Sequence, residues 1–271
     1  MVFPPLTWVL LIVSAVICSV GFYRFVWFMS VGYGLAVAGI GAAIGMIGLV
    51  RGDLTPAAGV LCLLCVVYGF RLGGFLFIRE LRSAAYRKTL NAQMEKPVPF
   101  PVKLVMWLFM AVLYVVQVSP IWYRESTAPA EPTGIAWVGA LIMACGISIE
   151  ALADKQKSDA KKKNPNKPAM TGLYKYSRCP NYFGEILFWT GVFISSLNIL
   201  KGAQWVVAAL GYVTIFFIMV SGAQRLEKRQ NKNYGNLKEY QRYADSTPIL
   251  IPFIPVYHLV KNEELGMRNA N

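Results

Sequence analysis

The sequence predicts an all-α, polytopic integral membrane protein, and three observations predict it. Of 271 residues, 56% are hydrophobic and 15% charged, a balance shifted from that of a soluble domain. The apolar residues come in long runs rather than at amphipathic spacing, which suits lipid better than a soluble core. Lysine and arginine gather in three stretches between those runs.

Seven stretches are long enough, or nearly so, to span a bilayer: 6–28, 29–50, 56–78, 102–122, 134–152, 182–200 and 203–222. The first lacks the basic start and small-residue cleavage site of a secretory signal, so it reads as a mature helix. The second is rich in glycine (Gly32, Gly34, Gly39, Gly41, Gly45), which favours close helix packing and leaves open room for a flat lipid. Cys62 and Cys65 in the third form a C-x-x-C pair, yet no histidine is near and apolar filling is the better reading. With Cys18, Cys145 and Cys179 they make an odd set in or beside apolar segments, so no disulfide framework is expected. The single histidine, His258, falls in a tail from about 256 that reads as polar and loose, and no ligand cluster predicts a metal.

The net charge of +13 does not point to nucleic acid, because the cations are not spread over a soluble face. Arg79, Arg82, Arg87, Lys88, Lys96 and Lys103 follow the third run. Lys155, Lys157, Lys161, Lys162, Lys163, Lys167, Lys175 and Arg178 fill the connection from fifth to sixth, and Arg225, Lys228, Arg229, Lys232, Lys238 and Arg242 follow the seventh. Since lysine and arginine are retained on the cytoplasmic side, seven spans place the N-terminus outside and the C-terminus in the cytoplasm. Topology and attraction to anionic lipid account for much of this charge. Three basic loops on one face also form a positive mouth suited to a phosphate-bearing cofactor.

Ionisable residues at helix ends point to the site, because an unpaired charge in hydrocarbon costs a few kcal/mol and is normally turned to protein, a partner or water. Glu150 and Asp154 are four apart and share a helix face, Asn181 and Glu185 repeat the spacing, and Tyr68 and Arg71 are three apart in the third run. Pairing with loop cations and a polar chamber open to the cytoplasm are both consistent with that pattern. The stretch G-L-Y-K-Y-S-R-C-P-N-Y-F-G-E at 172–185 favours the chamber. Pro180 suits the first turn of a helix, Ser177 and Asn181 suit its cap, and a helix start is an anion seat. Tyr174 and Tyr176 add aromatic faces, Arg178 a forked donor and Asn181 an amide that both donates and accepts.

That stretch, with R-L-E-K-R at 225–229, Y-x-x-Y at 240–243 and I-P-F at 251–253, resembles the C-terminal half of the steroid 5-alpha-reductase family, closest to its bacterial branch known only as a domain of unknown function. The resemblance covers about residues 145–255. It implies a seven-helix reductase that uses NADPH to saturate a carbon–carbon double bond conjugated to a ketone. The family's nucleotide-contacting residues would fall on Asn181, Glu185, Tyr174, Tyr176 and Asp154, with Glu150 where the family has Asn, Lys161 as a basic residue beyond, and Arg225 or Lys228 after the last span. Y-G-F-R at 68–71 resembles the family's Tyr-x-x-Arg, so Tyr68 would donate to the substrate ketone with Arg71 orienting it or pairing with an acid. Tyr86, Arg82 and Arg87 would stand near the cofactor mouth. The family's steroid reductases also carry a Gln-Glu pair on the second helix for the 3-oxo group; here no acidic residue precedes Asp53, so an enone is implied more firmly than a steroid.

Implied with this are one membrane reductase domain over 1–255, residues 1–122 shaping the substrate cavity and 134–255 the cofactor site, and a polar tail at 256–271. The expected partners are a lipophilic small molecule and membrane lipids, with no nucleic acid. The protein is expected as a monomer in a bacterial inner membrane. R-C-P-N-Y at 178–182 with Glu227 is also similar, more distantly, to S-adenosylmethionine-dependent methyltransferases of the isoprenylcysteine carboxyl type, and a lipid-binding relative without activity is a third reading.

Overall fold

The computed structural model describes residues 2–82, 98–127 and 134–260, and among the described residues there are helices and no strands. Among the described residues, six helical segments are long and apolar enough to cross a bilayer: Pro5–Phe22, Val31–Arg51, Pro56–Leu81, Phe100–Gln117, Gly134–Lys163 and Ala203–Tyr234. The chain is therefore an integral membrane protein. Tyr86, Arg87, Lys88 and Lys96 lie outside the described residues.

The elements are α1 (Pro5–Cys18), α2 (Val20–Tyr23), a 3₁₀ turn (Phe25–Met29), α3 (Val31–Arg51), α4 (Pro56–Arg82), α5 (Phe100–Gln117) and α6 (Ser119–Ser126). They continue with α7 (Gly134–Lys163), a second 3₁₀ turn (Gly172–Lys175), α8 (Pro180–Ile194), α9 (Ala203–Tyr234) and α10 (Lys238–Ser246). Three differ from the expectation. The 102–122 run breaks after Gln117, with Pro120 in the first turn of the new helix α6. α7 runs eleven residues past the expected 152 to Lys163, because lysine and alanine are good helix formers, and it stops at Asn164-Pro165. The sixth expected span is a helix of only 15 residues, α8. At 1.5 Å per residue it rises about 22 Å against roughly 30 Å of hydrocarbon, so α8 is short of spanning length by itself.

The chain divides into two compact units, Met1–Leu141 with Gly191–Tyr212, and Ile142–Thr190 with Val213–Asn271. In the first, α3 and α4 touch backbone to backbone: a Cβ on Gly69 would lie 2.2 Å from the Gly34 carbonyl oxygen, and one on Gly34 only 2.6 Å from the Gly73 nitrogen. Cys62 and Cys65 are buried along the same seam, where the Cys65 Cβ stands 2.7 Å from a Cβ built on Gly41, so both thiols fill space between helices. Trp107 donates to the Ala15 carbonyl at 2.7 Å and Ser14 to Ala111 at 3.0 Å, fastening α1 to α5. On α6, Arg124 donates to the Ser195 carbonyl at 2.8 Å, while the Glu125 carboxylate packs against Gly48.

In the second unit α7 and α8 also meet through glycine. A Cβ on Gly184 would lie 2.7 Å from the Glu150 nitrogen and 2.8 Å from the Gly146 oxygen. α8 meets α9 where the Tyr182 ring lies 3.3 Å from a Cβ built on Gly222.

Candidate functional site

α7 and α8, which meet at Gly184, carry three acidic residues that the sequence singles out. Glu150 is 2% exposed, Asp154 9% and Glu185 6%, in segments where apolar side chains dominate. Carboxylates this dry are held by donors of the protein or of a ligand. Asn181 stands in the first turn of α8 next to Pro180, the first helical residue. Its Oδ1 is buried and, among the described residues, accepts no hydrogen bond.

The entry loop is built by local chemistry. Gly172 has φ +65 and its Cα faces Gln156, whose Oε1 accepts from the Leu173 backbone at 2.9 Å. That bond leads the chain into the 3₁₀ turn and buries Tyr174, whose hydroxyl donates to the Ala153 carbonyl at 3.3 Å. Burial, and next the charge of Asp154, push the Tyr174 phenol well above its ordinary value. It therefore acts as a neutral donor beside Asp154. Burial likewise pushes the Cys179 thiol up to about 11 against the opposing charges of Lys157 and Arg178, so it is not a thiolate at neutral pH.

Arg178 is turned inward. Its side chain is 1% exposed and pairs at 2.9 Å with Glu227, itself 0% exposed, and it also donates to the Tyr257 carbonyl. Glu227 further accepts from the backbone nitrogens of Leu259 (2.8 Å) and Val260 (3.2 Å) and bonds His258 Nδ1 at 2.9 Å. The other ring nitrogen of His258 reaches Asp245 at 3.0 Å. The described part of the tail is thus tied down and not loose. Sequence reasoning missed this cluster, because Glu227 stands in a charge run and His258 stands alone; the resemblances at 225–229, and at 178–182 with Glu227, were the available signals.

The remaining residues are spread more widely. Lys161 donates to the carbonyls of Pro165 (3.0 Å) and Lys167 (2.8 Å) and to the Tyr234 hydroxyl, closing the loop after α7 onto the end of α9. Tyr176, Arg225 and Lys228 are exposed. Arg225 and Arg229 are charged neighbours of Tyr182, as is Glu185. Tyr68 and Arg71 belong to α4 in the first unit. Tyr68 is fully buried, and its hydroxyl is 3.1 Å from that of Tyr33 on α3. The Tyr33 ring packs at 5.1 Å on Tyr114, whose hydroxyl donates to the Phe28 carbonyl at 2.6 Å. Among the described residues no group of three or more His, Cys, Asp or Glu is placed to hold a metal.

Fold and site together define a helical integral membrane protein with buried acidic side chains on two helices that meet at glycine. Residues 10–247 match the family described as Protein of unknown function (DUF1295), and the chain belongs to that family, which is associated with steroid 5-alpha-reductase-like proteins. It is also similar to Steroid 5-alpha-reductase DET2 of Gossypium hirsutum, 25% identical over 187 residues that cover 66% of this chain and 67% of that protein. No solved structure matches.

Proposed function

We propose that the chain is a membrane-embedded, NADPH-dependent reductase that saturates the carbon–carbon double bond of an enone in a steroid-like or other lipophilic molecule. The observation that carries this reading is the buried, unpartnered Oδ1 of Asn181 within a set of buried carboxylates. A nicotinamide carboxamide offers an N–H to the first, and ribose hydroxyls offer donors to the others. The similarity to a steroid 5-alpha-reductase supports the same reading.

In that role Asn181 accepts from the carboxamide, Glu150, Asp154 and Glu185 hold amide and hydroxyl donors, and Tyr174 stays a neutral donor beside Asp154. Arg225, with Lys228 as its alternative, supplies charge for phosphate at the mouth, and Tyr176 an aromatic face. Lys161 and Arg178 act through the loops they fasten. The dinucleotide, when bound, supplies the hydride. Tyr68 donates to the carbonyl oxygen, where hydride addition to the β carbon pushes negative charge, and Arg71, one turn away, orients it. The basic loops favour a cytoplasmic cofactor mouth in a bacterial inner membrane.

The test is NADPH binding to detergent-purified protein, followed by the cofactor's own fluorescence, beside S-adenosylmethionine by calorimetry. Saturable NADPH binding, weakened at least tenfold by Asn181→Ala, is expected, followed by enone-dependent NADPH oxidation that Tyr68→Phe removes without loss of NADPH binding. Binding of S-adenosylmethionine in its place would overturn the reductase in favour of a methyltransferase.

A further inference from the structure

The loop I-P-F-I-P-V at 251–256 is apolar from end to end, and its tip is offered to the outside. Phe253 is 86% exposed, Ile254 47% and Val256 46%. Phe253 also holds φ 66, a left-handed conformation that is unfavourable for a bulky side chain. The loop is nonetheless firmly built. The Ile249 nitrogen donates to the Val256 oxygen at 2.8 Å across its neck, Ser177 Oγ donates to the Leu250 carbonyl at 2.8 Å, and the Arg178 backbone nitrogen to Pro248 at 2.9 Å. On its far side Arg178 and Glu227 hold residues 257–260. A strained backbone that presents an exposed aromatic ring, braced by buried polar bonds, is a feature with a use.

The braces also give its depth. Leu259 is fastened to Gln224 (3.3 Å) and Glu227 of α9, one turn beyond Gly222, where the apolar run of that spanning helix ends and its cations begin. Ser177 and Arg178 stand likewise just ahead of the apolar part of α8. The loop therefore departs from the level at which hydrocarbon gives way to headgroups. Exposed cations, Arg229 and Lys232 on α9 with Lys238 and Arg242 on α10, occupy the polar side of that level. Tyr176, 55% exposed, leans on Phe253 with ring centroids 6.2 Å apart, an aromatic with a polar tip where such residues sit in membranes.

We propose that the 251–256 loop is an interfacial anchor whose tip, Phe253 with Ile254, enters the headgroup–acyl boundary of an anionic bilayer. The apolar tip with cations behind it matches a surface of hydrocarbon under negative headgroups. Through Ser177 and Arg178 the anchor is fastened to the start of α8, so the bilayer surface sets the position of the segment that carries Asn181.

The experiment uses the full chain in nanodiscs of phosphatidylcholine and phosphatidylglycerol, with Cys145→Ser removing the exposed native cysteine; the other four are buried. A nitroxide at Phe253→Cys, or at Ile254→Cys should the first variant not purify as a single species, is compared with one at Ser246→Cys. Collision with oxygen and with a water-soluble nickel complex is read by power saturation. At the tip, oxygen collisions are expected to exceed nickel collisions several-fold, with the order reversed at 246; equal nickel access at both would overturn the anchor. Phe253→Ala is expected to leave NADPH affinity within about twofold. A tenfold loss, with NADPH immobilising the tip label, would assign the two rings to the nucleotide base and overturn the lipid partner.

Discussion

Replacing one partner of the Arg178–Glu227 pair should cost far more than replacing both. The pair lies at 2.9 Å with side chains 1% and 0% exposed, so removing one member leaves an uncompensated charge out of water, at about 3–5 kcal/mol. In Arg178→Met, Glu227 keeps the two backbone donors of Leu259 and Val260 and the His258 ring, which places the loss near ~3 kcal/mol, a factor of roughly 150 in the folded ratio. In Glu227→Gln, Arg178 keeps the Tyr257 carbonyl, while the new amide oxygen still accepts from the tail. The double variant carries neither charge and retains those acceptor bonds, so ~1–2 kcal/mol is expected and the coupling is about 3 kcal/mol or more. Unfolding by graded sodium dodecyl sulfate in mixed micelles, followed by tryptophan fluorescence, measures all four proteins, and limited proteolysis of 247–260 shows whether the tail is released. Single losses below about 1 kcal/mol that simply add in the double variant would show the pair to be solvated and refute the reasoning.

Gly184→Ala brings a methyl to 2.7 Å from the Glu150 nitrogen; a cost of about 1–3 kcal/mol and weaker NADPH binding are expected, measured by the same unfolding and by titration. Tyr33→Phe removes the hydroxyl 3.1 Å from that of Tyr68, and about a tenfold fall in kcat with NADPH affinity unchanged is expected in enone-dependent NADPH oxidation. Burial, then the charge of Asp53 and a hydrogen bond with it, push Glu125 up to about 6 from 4.5, against Arg51. Folded protein therefore binds this proton more tightly than unfolded protein, and the group's contribution, full below pH 4.5, falls as pH rises through 6, by no more than about 2 kcal/mol. Glu125→Gln should flatten that slope in an unfolding series from pH 4 to 8.

The fold class was legible because hydrophobic runs and lysine and arginine clusters are local properties. Six of the expected segments end in spanning helices. Their ends were not legible. The composition turns polar after 152 although lysine prolongs α7 by eleven residues, and hydropathy continues to 200 although α8 stops at Ile194. At the site, the i, i+4 spacing showed that Glu150 with Asp154, and Asn181 with Glu185, share faces. What it could not show is that Arg178 turns inward, since its partner Glu227 lies 49 residues away. Nor could it show that His258 closes the cluster, or that Tyr33 reaches Tyr68. Those contacts depend on helix register, which no local pattern encodes.

Register in this protein is set by glycine. Lipid gives no hydrophobic drive for one apolar helix to seek another, so close backbone approach and polar contacts decide which residues face each other. α3 and α4 meet where Gly69 opposes Gly34, one residue from Tyr68 and one from Tyr33, and the two hydroxyls meet as a result. α7 and α8 meet where Gly184 opposes Gly146 and Glu150, with Glu185 next in sequence and Asn181 one turn before. In both seams residues of the proposed site stand close in sequence to the glycines that bring the helices together. α3, with no acid before Asp53, thus presents to Tyr68 the phenol of Tyr33. A phenol can orient a hydroxyl without placing a charge in a buried seam, which suits the donor role proposed for Tyr68.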